Sequence, residues 1–272
     1  MVSQIVTCAF AQAQILNERA VELSNSGEYD SALLVLTKAL QMWKSHRLEV
    51  AKEAVCLCSR CRGVSNEDEW QCSMDIDEKE MESPYVTRSV PQQFDETKKE
   101  YPVAFEHRYL YREIIRIPCR EMFEASNVDS AVAVIILFNL AIVQHLSSIS
   151  SNNEKRMAKT LRLYQLCNEC LISFVNDTSI CSRKAGAYEL GTIIQMILIN
   201  NLSHLHSFMG NHLTSLHCTE KLIPILMCMV DVKARNNAVP YLFSSGVWSI
   251  SLEDFFRNVC PLVLTSQCAD AA

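Results

Sequence analysis

Residues 13–44 read AQILNERAVELSNSGEYDSALLVLTKALQMWK. Ile15, Leu16, Ala20, Val21 and Leu23 recur at helical spacing. Ser24-Asn25-Ser26-Gly27 then interrupts the pattern, and Gly27 is free to take the positive φ that closes a helix. A second helix follows, with Asp30 as its expected N-cap and Ala32, Leu33, Leu36, Ala39 and Leu40 on its apolar face. The stretch predicts two antiparallel helices joined by a tight turn. Ala20, Ala32 and Ala39 are small enough for the helices to approach closely, while Leu16, Leu23, Tyr29 and Leu36 fill the space between them.

The run Leu16-x2-Arg19-Ala20-x2-Leu23, then Gly27-Glu28-Tyr29-Asp30-x-Ala32-x3-Leu36-x2-Ala39-Leu40, resembles a tetratricopeptide repeat (TPR). Leu16 stands at that family's tryptophan position, Ala20 at its first glycine and Lys44 at its closing proline. Two further hairpins are similar to the same unit. One runs from Leu137-Phe138-Asn139-Leu140-Ala141 through Leu161, Tyr164 and Cys167, with its turn read at Ser147–Lys155. The other runs from Asn200-Asn201-Leu202-Ser203 and Leu205 to Ser215-Leu216 and Leu222-Ile223, with Gly210 at the position of Gly27. Pro224 is expected to kink or end its second helix. The anchors Leu16, Leu137 and Ile199 do not keep the family's period, which predicts degenerate repeats separated by insertions.

Residues 103–117 (VAFEHRYLYREIIRI) switch to a period of two. Val103, Phe105, His107, Tyr109, Tyr111, Glu113, Ile115 and Ile117 stand at the odd positions and alternate with Glu106, Arg108, Arg112 and Arg116. This predicts an inserted β segment over 101–118, paired with a strand from Pro84–Val90 or Tyr241–Ile250. Leu252–Val263 reads as a short amphipathic helix capping the last repeat, and residues 265–272 as a frayed tail. The expected fold is mostly α: one domain over 1–272 of TPR-like hairpins in an α-α superhelix, with a small inserted β segment.

Composition bounds the chemistry. Of 272 residues, 49% are hydrophobic, enough for a sizeable core. Only 6 are glycine, and no GxGxxG, GxxxxGK[ST] or GxSxG occurs, which argues against most nucleotide enzymes and α/β-hydrolases. The net charge of −6 resides in residues 62–100, which carry 11 acidic and 5 basic residues and read as a mobile acidic loop. A neutral remainder is a poor nucleic-acid surface. The uncharged stretches Ser130–Asn153 and Leu190–Thr219 hold Asn139, Gln144, His145, Asn200, Asn201 and His204, costly in lipid, and read as core helices rather than membrane spans. The 13 cysteines are an odd number without small-scaffold spacing, pointing to reduced thiols in a cytoplasmic or nuclear, not secreted, protein.

Cys56, Cys58, Cys61 and Cys72 form the best zinc candidate, but no histidine lies between them and cysteines buried at a helix end fit equally well. Cys167-x2-Cys170 sits late in a helix beside Glu169, the wrong end for thiolate activation, and reads as core. His204, His206, His212 and His217 lack a carboxylate partner for an HExxH-type site, and read as one groove and three surface histidines. The expectation is therefore no catalytic residue, no metal and no cofactor. The TPR resemblance implies a non-catalytic scaffold that binds a peptide or helix of a partner protein in a concave groove. Carried across, the groove positions are Asn17 and Val21; Phe138, Ile142 and His145; and Asn200, His204 and Phe208. No small-molecule substrate is inferred. The competing expectations are a zinc-binding or thiol-based protein using Cys56–Cys72, and a subunit stable only inside a complex.

Overall fold

A computed structural model describes residues 2–53, 108–117, 128–181, 185–236 and 251–269. These all belong to one compact unit, Met1–Glu53 with Ala104–Ala272. The acidic loop 62–100, the four candidate zinc cysteines and both proposed partner strands lie outside the described residues. The protein is mostly helical. Seven helices are described: α1 (Val2–Asn25), α2 (Tyr29–Glu53), α3 (Val128–Ser151), α4 (Glu154–Cys181), α5 (Ala185–Phe208), α6 (His212–Asn236) and α7 (Leu252–Ala269). They form hairpins α1–α2, α3–α4 and α5–α6. Each helix also packs on the next along the chain, so α2 meets α3, α4 meets α5 and α6 meets α7.

The three hairpin turns share one chemistry. Gly27, Asn152 and Gly210 occupy the left-handed region at φ 80°, 45° and 77°. In each, the residue's own N–H reaches back three positions: Gly27 to Ser24, Asn152 to Ile149 and Gly210 to Ser207, at 3.0–3.2 Å. The next N–H reaches back five: Glu28 to Leu23, Asn153 to Ser148 and Asn211 to His206. This is the Schellman arrangement, which satisfies the last carbonyls of the first helix. Glu28, Asn153 and Asn211 then open the second helices, their carbonyls accepting from Ala32, Met157 and Ser215.

Several sequence expectations are corrected here. Asp30 is not the N-cap; it lies in the first turn of α2 and pairs with Arg156 of α4 at 2.9 Å. The middle turn is not Ser147–Lys155. Helix α3 continues to Ser151 because its serines bond within it: Ser148 Oγ donates to the His145 carbonyl at 2.7 Å and Ser151 Oγ to the Ser147 carbonyl at 2.8 Å. Pro224 does not end α6. Leu222 and Leu226, fully buried on either side of it, hold both halves to the core while Pro224 is exposed. Helix α7 extends past Val263 to Ala269.

The core is centred on α3, where every residue from Ala131 to Ser148 is buried. By length and composition α3 could cross a membrane, as could α6, but 94% of the α3 window is covered by the rest of the fold. At the first hairpin Trp43 is buried edge-on against Phe10, and Ala20, Ala32 and Ala39 are fully buried at the helix contact. These alanines do what the sequence required of them: they bring α1 and α2 together.

Residues 108–117 are neither helix nor paired strand. The inserted segment has no strand partner among the described residues. Its alternation has another cause, which is the site described next.

Candidate functional site

Residues 108–117 run across α1, α3, α5 and α7, held largely by side-chain amides. Ile115 is gripped at one end. Asn139 Oδ1 accepts from its N–H at 2.9 Å, and Asn139 Nδ2 donates to its carbonyl at 2.7 Å. Asn17 Nδ2 donates to the same carbonyl at 2.9 Å, and Asn139 Nδ2 also donates to Asn17 Oδ1 at 2.7 Å. Tyr109 is gripped in the same way at the other end. Asn258 Oδ1 accepts from its N–H at 2.7 Å, while Asn258 and Asn200 both donate to its carbonyl, at 2.8 and 3.1 Å. Asn258 Nδ2 donates to Asn200 Oδ1 at 2.6 Å, just as Asn139 does to Asn17. Between them, Asn201 bonds both the N–H and the carbonyl of Tyr111, at 3.1 and 3.0 Å. Gln14 donates to the Ile117 carbonyl at 3.2 Å.

The pattern has a simple origin. In extended chain the N–H and C=O of one residue face the same edge, and that edge recurs every second residue. A carboxamide offers one acceptor and one donor at matching spacing, so it replaces a neighbouring strand. Over residues 108–117 the alternation therefore goes with chain clasped by amides, not with chain paired in a sheet.

Side chains complete the grip. Leu110, Tyr111, Ile115 and Ile117 are buried. Tyr109 and Tyr111 lie against Phe255 of α7, with ring centroids 5.2 and 6.3 Å apart. Burial, reinforced by Asp254 and Glu113, pushes the Tyr109 phenol up to about 12. Arg108 enters a cluster of hydroxyls between α5 and α6, donating to Ser215 Oγ at 2.7 Å, Thr219 Oγ1 at 2.9 Å and Ser203 Oγ. Ser203 and Ser215 also bond each other's carbonyls, at 2.9 and 2.6 Å. Arg112, Glu113 and Arg116 are exposed, and Arg116 pairs with Glu18.

Beneath Tyr111 lies a polar network that runs from Asn201 through Tyr164 to His145. The Tyr111 N–H fixes Asn201 Oδ1 as an acceptor, so Asn201 Nδ2 is the donor to Tyr164 Oη at 3.2 Å. The Tyr164 hydroxyl and His145 Nδ1 share a hydrogen bond at 3.0 Å, its direction set by the imidazole tautomer. His145 Nε2 is buried with no hydrogen-bond partner among the described residues, as is Nδ1 of His204. The two imidazoles lie 5.3 Å apart. Burial, then His204 and Arg112, pulls His145 down to about 3; burial, then Arg112 and Arg108, pulls His204 down to about 4.

Of the predicted groove residues, Asn17 and Asn200 touch the segment's main chain. His145 and His204 lie under its centre, and exposed Phe208 stacks on His204 at 6.5 Å. Val21 and Ile142 are buried. Phe138 is corrected: it is fully buried in the core, and its neighbour Asn139 holds the segment. His206 is half-buried rather than on the surface, and burial lowers its pKa. Cys167 is fully buried against the Val134 carbonyl, and burial raises its thiol well above the ordinary value. Among the described residues no group of three or more His, Cys, Asp or Glu is placed to hold a metal ion.

Asn139, Asn201, Asn258, Gln14 and the Arg108 cluster were not predicted as site residues. A signal was available: Asn139 and Asn200-Asn201 interrupt apolar helices, and a buried amide requires a partner. Nothing in the linear sequence names that partner. No family model, curated protein or solved structure matches the chain.

Proposed function

We propose that the protein is a non-catalytic interaction module of the TPR-like type, its hairpins stacking as a short superhelix whose inner face grips extended polypeptide by the main chain. The observation that carries this reading is the amide ladder. Asn17, Asn139, Asn200, Asn201 and Asn258, drawn from α1, α3, α5 and α7, converge on alternate residues of one segment. The repeated Schellman turns and the packing of each helix on the next support the repeat reading. A non-catalytic role is supported by the histidines. At about 3 and 4, His145 and His204 titrate too far below neutrality for efficient proton transfer. A cytoplasmic or nuclear setting accords with the free thiols of Cys167 and Cys218.

The test is photo-crosslinking in cells from p-benzoylphenylalanine at Phe208, on the rim of the groove, and at exposed Leu34 on α2. A partner captured at Phe208 but not at Leu34 is expected. Absence of any crosslinked protein at Phe208 would remove the module reading. A subunit of an obligate complex is the second reading, favoured by Leu213, Met227 and Val230 on α6, of which Leu213 is 70% exposed.

A further inference from the structure

The amide ladder bonds only N–H and C=O groups, which every non-proline residue carries. The clasp is thus indifferent to side chains, and selectivity resides in the pockets beside it. Arg108 fills the hydroxyl cluster of Ser203, Ser215 and Thr219; Tyr109 and Tyr111 fill the surface of Phe255; Ile115 and Ile117 fill the apolar end. This division of labour, main chain for affinity and alternate pockets for specificity, is how strand-like peptides are recognised between molecules. The segment belongs to no helical hairpin. It joins α2 and α3 through residues 54–107 and 118–127, so its departure breaks no described helix.

We infer that residues 108–117 are a resident ligand, and that the same groove takes in their place an extended peptide of a partner carrying the pattern Arg-Tyr-x-Tyr-x3-Ile-x-Ile. This rests on the interaction-module reading and specifies its ligand. The resident segment competes at a high effective concentration because it is tethered, so the groove opens to the partner only when the segment is weakened or withdrawn.

The test uses the full chain and a fluorescein-labelled synthetic peptide spanning residues 106–118 (EHRYLYREIIRIP). Tyr111→Ser/Ile115→Ser weakens the resident segment and leaves every groove residue intact. The peptide is expected to bind this variant at least 100-fold more tightly than the wild type. Methylating the peptide nitrogens of Tyr111 and Ile115 removes the donors to Asn201 and Asn139 and is expected to abolish binding. Where the variant loses helicity, recovery of helicity on adding the peptide is the supporting result. The inference is overturned by a folded variant that ignores the peptide, by an unfolded one the peptide does not restore, by equal binding to wild type, or by binding that survives N-methylation. Failed exchange together with a partner crosslinked at Phe208 removes the resident-ligand inference alone; exchange without any such partner removes the module reading instead.

Discussion

Asn139 Nδ2 donates to Asn17 Oδ1 at 2.7 Å, joining α3 to α1 across the main chain of Ile115, to which both amides are also bonded. The pair is fully buried, so neither amide has water to fall back on. Asn139→Ala leaves the Ile115 N–H without an acceptor and removes one of two donors from its carbonyl. Unsatisfied buried groups cost roughly 1–3 kcal/mol each, so a loss of about 2–4 kcal/mol is expected. Asn201→Ala should behave alike at Tyr111. Urea denaturation checks both, and a shift under about 0.5 kcal/mol in either would contradict the clasp.

The turns separate backbone conformation from packing. A Cβ built on Gly27 or Gly210 meets nothing within 4 Å, so only the positive φ opposes a side chain. Gly27→Ala and Gly210→Ala should each cost about 1 kcal/mol, a fall of roughly 2–4 °C in Tm for a chain of this size. Asn152→Gly, at the equivalent position, should lie within about 0.5 kcal/mol of wild type, because asparagine tolerates this region. A large loss from Asn152→Gly would mean the three turns are not equivalent.

Asp30 and Arg156 join the first hairpin to the second. The Arg156 hydrogen bond holds the Asp30 carboxyl below its ordinary value, with the guanidinium charge and Ser147 acting in the same direction. A lowered carboxylate pKa contributes stability that is present above about pH 4 and disappears as pH falls through the folded value. Asp30 is largely exposed, so Arg156→Met should cost only about 0.5–1 kcal/mol at pH 7 in low salt. The loss should shrink at pH 3 and in 1 M salt. A cost that ignores both would assign the effect of Arg156 to packing.

Most of this architecture is legible along the chain, because its signals are local. The first hairpin can be read from Leu16 to Leu40, and Gly27 and Gly210 mark their turns by residue type alone. Asn152 does not, since asparagine in a serine-rich run has many roles, so that turn is not marked by residue type. The clasp is a different case. Period two over residues 108–117 does not by itself name its partner, because a strand and an amide-bound peptide have the same period. Likewise the buried amides of α3 and α5 announce that something polar must meet them. The two halves lie far apart in sequence, with Asn17 and Asn258 bracketing the segment from either end of the chain. Only the folded arrangement brings them together.

His145 and His204 give the fold an acid limit whose sign can be worked out. Both are neutral when folded, held near 3 and 4 chiefly by burial, and both titrate near 6.5 once unfolded. Between those values the unfolded chain binds more protons, so stability is fully present above about pH 6.5 and falls as pH drops. The slope approaches about 1.4 kcal/mol per pH unit for each histidine, and relaxation around the half-exposed edge of His204 lessens it. Between pH 7 and 5 a combined loss of about 2–3 kcal/mol is expected, with His206 adding in the same direction. His145→Gln keeps a hydrogen-bonding side chain for the Tyr164 hydroxyl and removes the titration, and His204→Gln removes the titration of the second ring. Paired denaturation curves at pH 7 and 5 should lie much closer in the double variant, leaving only the contribution of His206. If its stability falls as steeply as that of the wild type, the acid sensitivity arises elsewhere, and these rings are not held neutral beneath Tyr111.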